Sequence, residues 1–262
     1  MKPRQNRLRL RGDLLCTAIR KAMLRSREPI LCLVKPDAIK FVALSGLRLV
    51  VSWETELDQP ISGRLAFVIP PLIAQLLSSE TVSCQSGVEI AVKGGEVIVR
   101  LSDPLGYYEI RWQADLSVFP APSEFSQLIQ VPDDLMEVPY IKLTDATHEA
   151  VAKLVRMEAD EEVQRDKLAI LIDLDFGRLS IDGQEIIGTG STRYYFDPRL
   201  VIRALEFIKE RTILVGVRPI QDGNRAFLAM LAQQQEWTVQ CSLLSIGKDT
   251  QMLYPLQPGR DR

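Results

Sequence analysis

Histidine is nearly absent from this sequence: 262 residues contain one, His148. A multi-histidine metal site cannot be assembled within one such chain, and no His-based triad suggests itself. His148 falls beside Glu149 at the start of a predicted helix and reads as an exposed helix-start residue rather than a catalytic base. Cysteine is scarce and scattered. Cys16, Cys32, Cys84 and Cys241 form no C-x-x-C pair, so buried free thiols in a reducing, cytoplasmic compartment are expected. No apolar run exceeds the length of a strand, which leaves no candidate membrane-spanning helix. The basic opening, Met1 to Arg11, has no apolar centre and does not read as a secretory signal. Excess positive charge is also missing: the net charge is -2, so a nucleic-acid partner would have to meet a local basic face.

Chemical motifs are incomplete in the same way. Gly188-Thr189-Gly190 begins like G-x-G-x-x-G, but Arg193 stands where the third glycine belongs, and the segment reads as a loop. Asp175-Phe176-Gly177 resembles the metal-binding motif of protein kinases without its lysine, catalytic-loop or glycine-rich partners. Asp173 and Asp175 share one face of a predicted strand, because strand side chains alternate. Such a pair can hold a metal or act as acid and base, but it is more often the wet face of a half-buried sheet. No enzyme site and no cofactor site emerge.

What is present is an ordinary globular composition, 46% hydrophobic and 25% charged, long enough for one large domain or two smaller ones. Leu8 to Arg11 alternates as a strand, and Asp13 can cap a helix carrying Leu14, Leu15, Ala18, Ile19, Ala22 and Met23. Strands are predicted at 30–34, 38–44, 47–54 and 65–69. Pro70-Pro71 then opens a helix whose buried side is Leu72, Ile73, Leu76 and Leu77. Four more strands follow at 82–85, 88–93, 97–101 and 108–114, with Gly94-Gly95 as a hairpin turn.

From Val118 to Pro139 the composition changes, with Pro120, Pro122, Pro132, Pro139 and Asp133-Asp134. This reads as a linker, which divides the chain into domains 1–122 and 140–256, a linker at 123–139 and a disordered tail at 257–262. The second half restarts with a strand at 140–143 and a helix capped by Asp145 or Thr147. The acidic run Glu158 to Glu162 follows, then strands at 168–174 and 178–181. No strand is predicted between Gln184 and Arg193. Pro198 opens a helix with Leu200, Val201, Ala204, Leu205 and Ile208 on its apolar side, and strands at 212–217, 226–231 and 237–244 end the series.

The order strand, helix, strands, helix, strands therefore occurs twice, offset by about 130 residues. Leu8 and Leu10 fall on Ile141 and Leu143, and Ala18 and Ala22 fall on Val151 and Val155. Pro70, Leu72, Ile73, Ala74, Leu76 and Leu77 fall on Pro198, Leu200, Val201, Ile202, Ala204 and Leu205.

Four stretches of the first half resemble a known family, the DNA sliding clamps, and in particular the bacterial DNA polymerase III β subunit. They are the strand-helix start at Leu8 to Leu24, the hairpin-like Ile39 to Leu57, Val68-Ile69-Pro70 before an amphipathic helix, and Val88 to Trp112 running into Ala114-Asp115-Leu116 and Phe119-Pro120. In the second half, Phe196 to Ile208 and Thr238 to Leu244 resemble the last clamp domain. Bacterial clamps have three such domains per chain and close as dimers. This chain has room for two, the count of the trimeric archaeal and eukaryotic clamps, and Cys241-Ser242-Leu243-Leu244 stands where the family's closing Met-Pro-Met-Arg-Leu is expected.

The resemblance implies an α+β, DNA-clamp-like fold of two repeated domains, each with two helices packed on antiparallel sheets. It implies a processivity factor without catalytic residues or metal, encircling double-stranded DNA through its backbone and tethering polymerase and clamp-loader peptides as a homo-oligomer, a trimer if a ring. Basic residues on the helices are then the expected DNA-facing set. They are Arg20, Lys21 and Arg25 on the first, Lys153 and Arg156 on the third, and Arg199, Arg203, Lys209 and Arg211 on and just after the fourth. The second helix carries no basic residue. The other reading is a clamp-fold, protein-binding scaffold that does not encircle DNA.

Overall fold

The computed structural model describes residues 6–23, 28–45, 49–85, 87–103, 106–119, 140–143, 170–173, 178–181, 184–187, 193–196, 198–208, 213–219 and 226–244. The chain divides into two units. Unit 1 is Met1–Phe125 with Gln234–Val239, and unit 2 is Ser126–Gln233 with Gln240–Arg262. The linker expected at 123–139, the helix after Asp145, the acidic run and the tail at 257–262 lie outside the described residues, as do His148, Asp175 and the Gly188–Gly190 loop.

In unit 1, β1 (Asn6–Leu10) buries Leu8 and Leu10 and exposes Arg7 and Arg9, the alternation of a half-buried strand. Helix α1 (Gly12–Met23) follows, with Leu14, Leu15, Cys16, Ala18, Ile19 and Ala22 buried. Asp13 in its first turn accepts from Arg11 Nε at 3.1 Å. An anion there also suits the positive end of the helix dipole. Then come β2 (Ile30–Val34), β3 (Ala38–Ser45), β4 (Leu49–Glu56), β5 (Leu65–Ile69), α2 (Pro71–Leu77), α3 (Glu80–Ser83), β6 (Val88–Lys93), β7 (Glu96–Asp103), β8 (Gly106–Gln113) and a 3-10 turn at Leu116–Val118. The strands form two antiparallel arrays, in the orders β1-β6-β7-β8 and β5-β2-β3-β4. Gly94 and Gly95 join β6 to β7 with φ of 59° and 83°, the left-handed pair of a tight hairpin turn.

Residues 82–85 are not the strand expected of them. Glu80–Ser83 is a single helical turn, closed by Ser83 N–H to Ser79 O at 3.1 Å and Cys84 N–H to Glu80 O at 2.9 Å. Packing against α1 overrides local preference here. Val82 is buried, and Gly12 N–H donates to Gln85 O at 3.0 Å.

Unit 2 contains β9 (Tyr140–Leu143), β10 (Ile170–Asp173), β11 (Arg178–Ile181), β12 (Gln184–Ile187), β13 (Arg193–Phe196), α4 (Pro198–Ile208), β14 (Ile213–Pro219) and most of β15 (Ala226–Gln234) and β16 (Trp237–Leu244). One strand, β12, thus occupies the stretch expected to have none, and the unpredicted β13 begins at its end. β11 and β12 pair from Ile181 to Gln184 around Asp182-Gly183, a two-residue hairpin signal that a weakly apolar strand had obscured. The arrays run β9-β14-β15-β16 and β12-β11-β10-β13. These are the strand orders of unit 1, element for element, and the repeat is a property of topology as well as of sequence.

The structure shifts the register of that repeat by one residue. Pro70 precedes α2 with extended backbone (φ -63°, ψ 154°), and Pro71 opens the helix, as Pro198 opens α4. Pro71 therefore corresponds to Pro198. The buried Ala74 and Leu77 correspond to the buried Val201 and Ala204, and the buried strand ends Ile69 and Phe196 also match. A double proline hides which ring begins the helix.

The turn between β15 and β16 belongs to unit 1. Trp237 is 4% exposed, and its ring stands edge-on to Phe41 at 6.3 Å between centroids. Arg11 Nη1 donates to the Glu236 carboxylate at 2.7 Å.

Gly12 cannot accept a side chain without movement. A Cβ there would sit 1.9 Å from the Val82 carbonyl oxygen and 2.8 Å from that of Gln85. Gly12→Ala is expected to lower the unfolding free energy by about 1–3 kcal/mol, the usual cost of overpacking. Urea denaturation of the full chain measures it, and an unchanged midpoint would mean that α1 and α3 separate freely.

Candidate nucleic-acid interface

The buried stripe of α1 fixes which of its residues face outward. Thr17 and Arg20 are exposed, and Arg20 Nε donates to the Ser78 carbonyl at the end of α2 at 2.9 Å. That bond ties the side chain to the neighbouring helix at one nitrogen. Lys21 takes a different role. Its ammonium lies 5.9 Å from the centre of the Trp237 ring and 3.5 Å from Gln234 Oε1. It is half-buried, and burial lowers its pKa from the ordinary lysine value. Lys21 therefore covers an aromatic ring within unit 1. Spacing alone could not show this, because Trp237 is 216 positions away along the chain.

On α4, Arg203 is exposed, with Glu206 also exposed one turn on. Arg199 lies in the first turn of α4, and its side chain is outside the described residues, as are Arg25, Lys153, Arg156, Lys209 and Arg211 altogether. The structure thus displays Arg20 and Arg203 to solvent and sets Lys21 on Trp237.

The apolar side expected for α2 is corrected. Ala74 and Leu77 are buried, whereas Leu72 and Leu76, four residues apart, are 68% and 52% exposed. Six of the seven residues of this helix are apolar, so its pattern cannot select a face, and contact with α1 selects it instead.

Exposed arginine alone does not make a phosphate site. Across β1, β6, β7 and β8 a chain of ion pairs runs from Arg7 to Glu89 (3.4 Å), Glu89 to Arg100 (2.8 Å), Arg100 to Glu109 (3.6 Å) and Glu109 to Arg111 (2.9 Å), with Arg111 also 3.6 Å from Glu96. Cross-strand carboxylates offset the positive charge there. In unit 2, Asp173 stands in backbone register with Arg178 on β11 and Arg193 on β13.

None of the four cysteines forms a disulfide: Cys16, Cys32 and Cys241 are buried, and Cys84 is exposed, on the turn after α3 rather than in a strand. Burial raises the pKa of Cys16 and pushes that of Cys32 well up, which keeps both protonated and poorly nucleophilic. Among the described residues, no cluster of three or more His, Cys, Asp or Glu could hold a metal ion, and no helix is long and apolar enough to cross a membrane.

No protein-family model and no curated protein matches the sequence. Solved structures do match. The DNA polymerase sliding clamp of Bacillus subtilis is 14% identical with a TM-score of 0.57, covering 93% of this chain and 65% of the clamp. The Helicobacter pylori β clamp with 3,4-difluorobenzamide is 13% identical with a TM-score of 0.58, covering 97% of this chain and 68% of the clamp. The same clamp bound to a DNA ligase peptide is 14% identical with a TM-score of 0.56, covering 96% and 69%. The chain has the sliding-clamp fold over nearly its whole length and spans about two-thirds of the length of these clamps.

Lys21 supplies a test of its placement. Its pKa is lower in the folded protein than in the unfolded chain, so the unfolded chain holds more protons in the pH window between the two values. Stability should therefore rise with pH through that window. In Lys21→Met this rise is expected to vanish, while neutral-pH stability changes by no more than about 1 kcal/mol, the scale of a cation–π contact. Urea unfolding from pH 7 to 10.5 compares the two proteins. Persistence of the rise in the variant would contradict the placement.

Proposed function

We propose that this chain is a clamp-like processivity factor, which encircles duplex DNA without reading its sequence and tethers partner proteins. The observation that carries this reading is the doubled strand order, β1-β6-β7-β8 with β5-β2-β3-β4 and its counterpart in unit 2, together with fold similarity to sliding clamps over nearly the whole chain. Such a protein works by topology and needs no catalytic residue or cofactor. Solvated cations attract the evenly spaced phosphates and leave the bases unread. Arg20 and Arg203 are exposed on their helices as this requires, and Arg25, Lys153, Arg156, Arg199, Lys209 and Arg211 complete the proposed set. Lys21 contributes through the field of α1 while it packs on Trp237.

Ring closure would use unpaired strand edges. Among the described residues, β8 ends one array of unit 1 and β12 ends one array of unit 2. Pairing β8 of one chain with β12 of the next is a heterologous contact, and with two domains per chain three copies would close it. Domains at 1–122 and 140–256 with a linker at 123–139, a cytoplasmic location, and polymerase and clamp-loader peptides as partners belong to the same proposal. A second reading, a protein-binding scaffold that does not encircle DNA, draws support from the exposed leucines of α2.

Two measurements separate these readings. Light scattering at several concentrations is expected to give a stable trimer, and protein loaded on nicked circular duplex is expected to stay bound until the circle is cut. A monomer that leaves circular and linear DNA equally fast would end the encirclement reading and favour the scaffold.

A further inference from the structure

The corrected register compares one surface position in two chemical forms. Pro71 with Pro198, Ala74 with Val201 and Leu77 with Ala204 place Leu72 at the position of Arg199 and Leu76 at that of Arg203. Leu76 and Arg203 are both exposed, and so is Leu72. Leucine and arginine have nearly equal helix propensity, so helix formation does not demand leucine. Burial does not demand it either, since Ala74 and Leu77 supply the buried contacts. The two leucines therefore set what this face offers to a ligand.

Resting on the DNA-encircling reading, we infer that the two repeats contribute unequally to duplex contact. α4 attracts phosphates through Arg203 and Arg199. α2, at the equivalent place in unit 1, presents an uncharged two-leucine surface that neutralises no phosphate. The phosphate attraction of unit 1 then rests on α1, where Arg20 is exposed. Each phosphate neutralised releases a condensed counterion and steepens the dependence of log K on log salt by about 0.9. Two missing contacts leave that dependence shallower by about 1.8 per chain than in a symmetric arrangement.

The test restores the symmetry. Leu72→Arg/Leu76→Arg in the full chain, checked for an unchanged melting temperature, is titrated with duplex oligonucleotide across a salt series. Leu72→Lys/Leu76→Lys serves as a second variant. A control carries the same charges at Gln59 and Ser62, exposed in the loop between β4 and β5. The expected result is a slope steeper by about 1.8 for the α2 variants, an extra loss of about twelve-fold in affinity between 50 and 200 mM salt, with a smaller change in the control. Unchanged slopes for the α2 variants, or equal steepening by the control, overturn the inference. Arg20→Gln/Arg203→Gln separates the two levels. If it flattens the slope of the otherwise native chain, the DNA-binding reading stands even when the inference about α2 fails. If it has no effect, or if the native chain does not bind duplex, both fall.

Discussion

Burial of a one-sided helical stripe is the constraint on which both units depend. In unit 1 it is Leu15, Ala18, Ile19 and Ala22 on α1, and in unit 2 it is Val201, Ala204, Leu205 and Ile208 on α4. Each large apolar side chain so buried contributes about 1.5–3 kcal/mol. An exposed substitution on the opposite side typically changes stability by no more than about 0.5 kcal/mol. The inner faces are thereby held to a narrow set of residues, and the outer faces are free to diverge. The same place in the fold can carry leucine in one repeat and arginine in the other with little effect on folding.

The parts legible in the sequence are those where local signal and tertiary packing agree. The strands at 30–34, 65–69, 88–93, 178–181 and 237–244 stand where alternation or apolar runs put them, and Gly94-Gly95 makes its turn. The misreadings share one cause, that the deciding partner is distant or the local pattern is degenerate. Glu80–Ser83 is helical because it packs on α1. β12 is too short and too polar to announce itself, although Asp182-Gly183 signals the hairpin. The face of α2 is undecidable from a helix that is apolar nearly all round. The candidate interface was legible as a list of basic residues but not as their surroundings, since only the fold brings Trp237 under Lys21 and carboxylates beside Arg100 and Arg111.

The same contrast bears on chemistry. Charged residues on the strands of unit 1 occur in alternating rows, with Glu89 between Arg7 and Arg100. Charges arranged in this way hold strands in register and largely cancel at a distance. Arg20 and Arg203 stand instead on helices, where both are exposed.

Unit 1 is completed by residues far along the chain. The turn Gln234–Val239 brings Trp237 to Phe41, while the rest of the unit ends at Phe125. During synthesis the first 125 residues leave the ribosome more than a hundred residues ahead of that turn. At typical rates of about 5–20 residues per second, the nascent unit spends on the order of ten seconds with the site of Trp237 unfilled. Over that interval Phe41, already opposite Trp53 across the β3–β4 pair, lacks the second indole of Trp237, and the growing chain must keep this apolar gap away from its neighbours on the polysome.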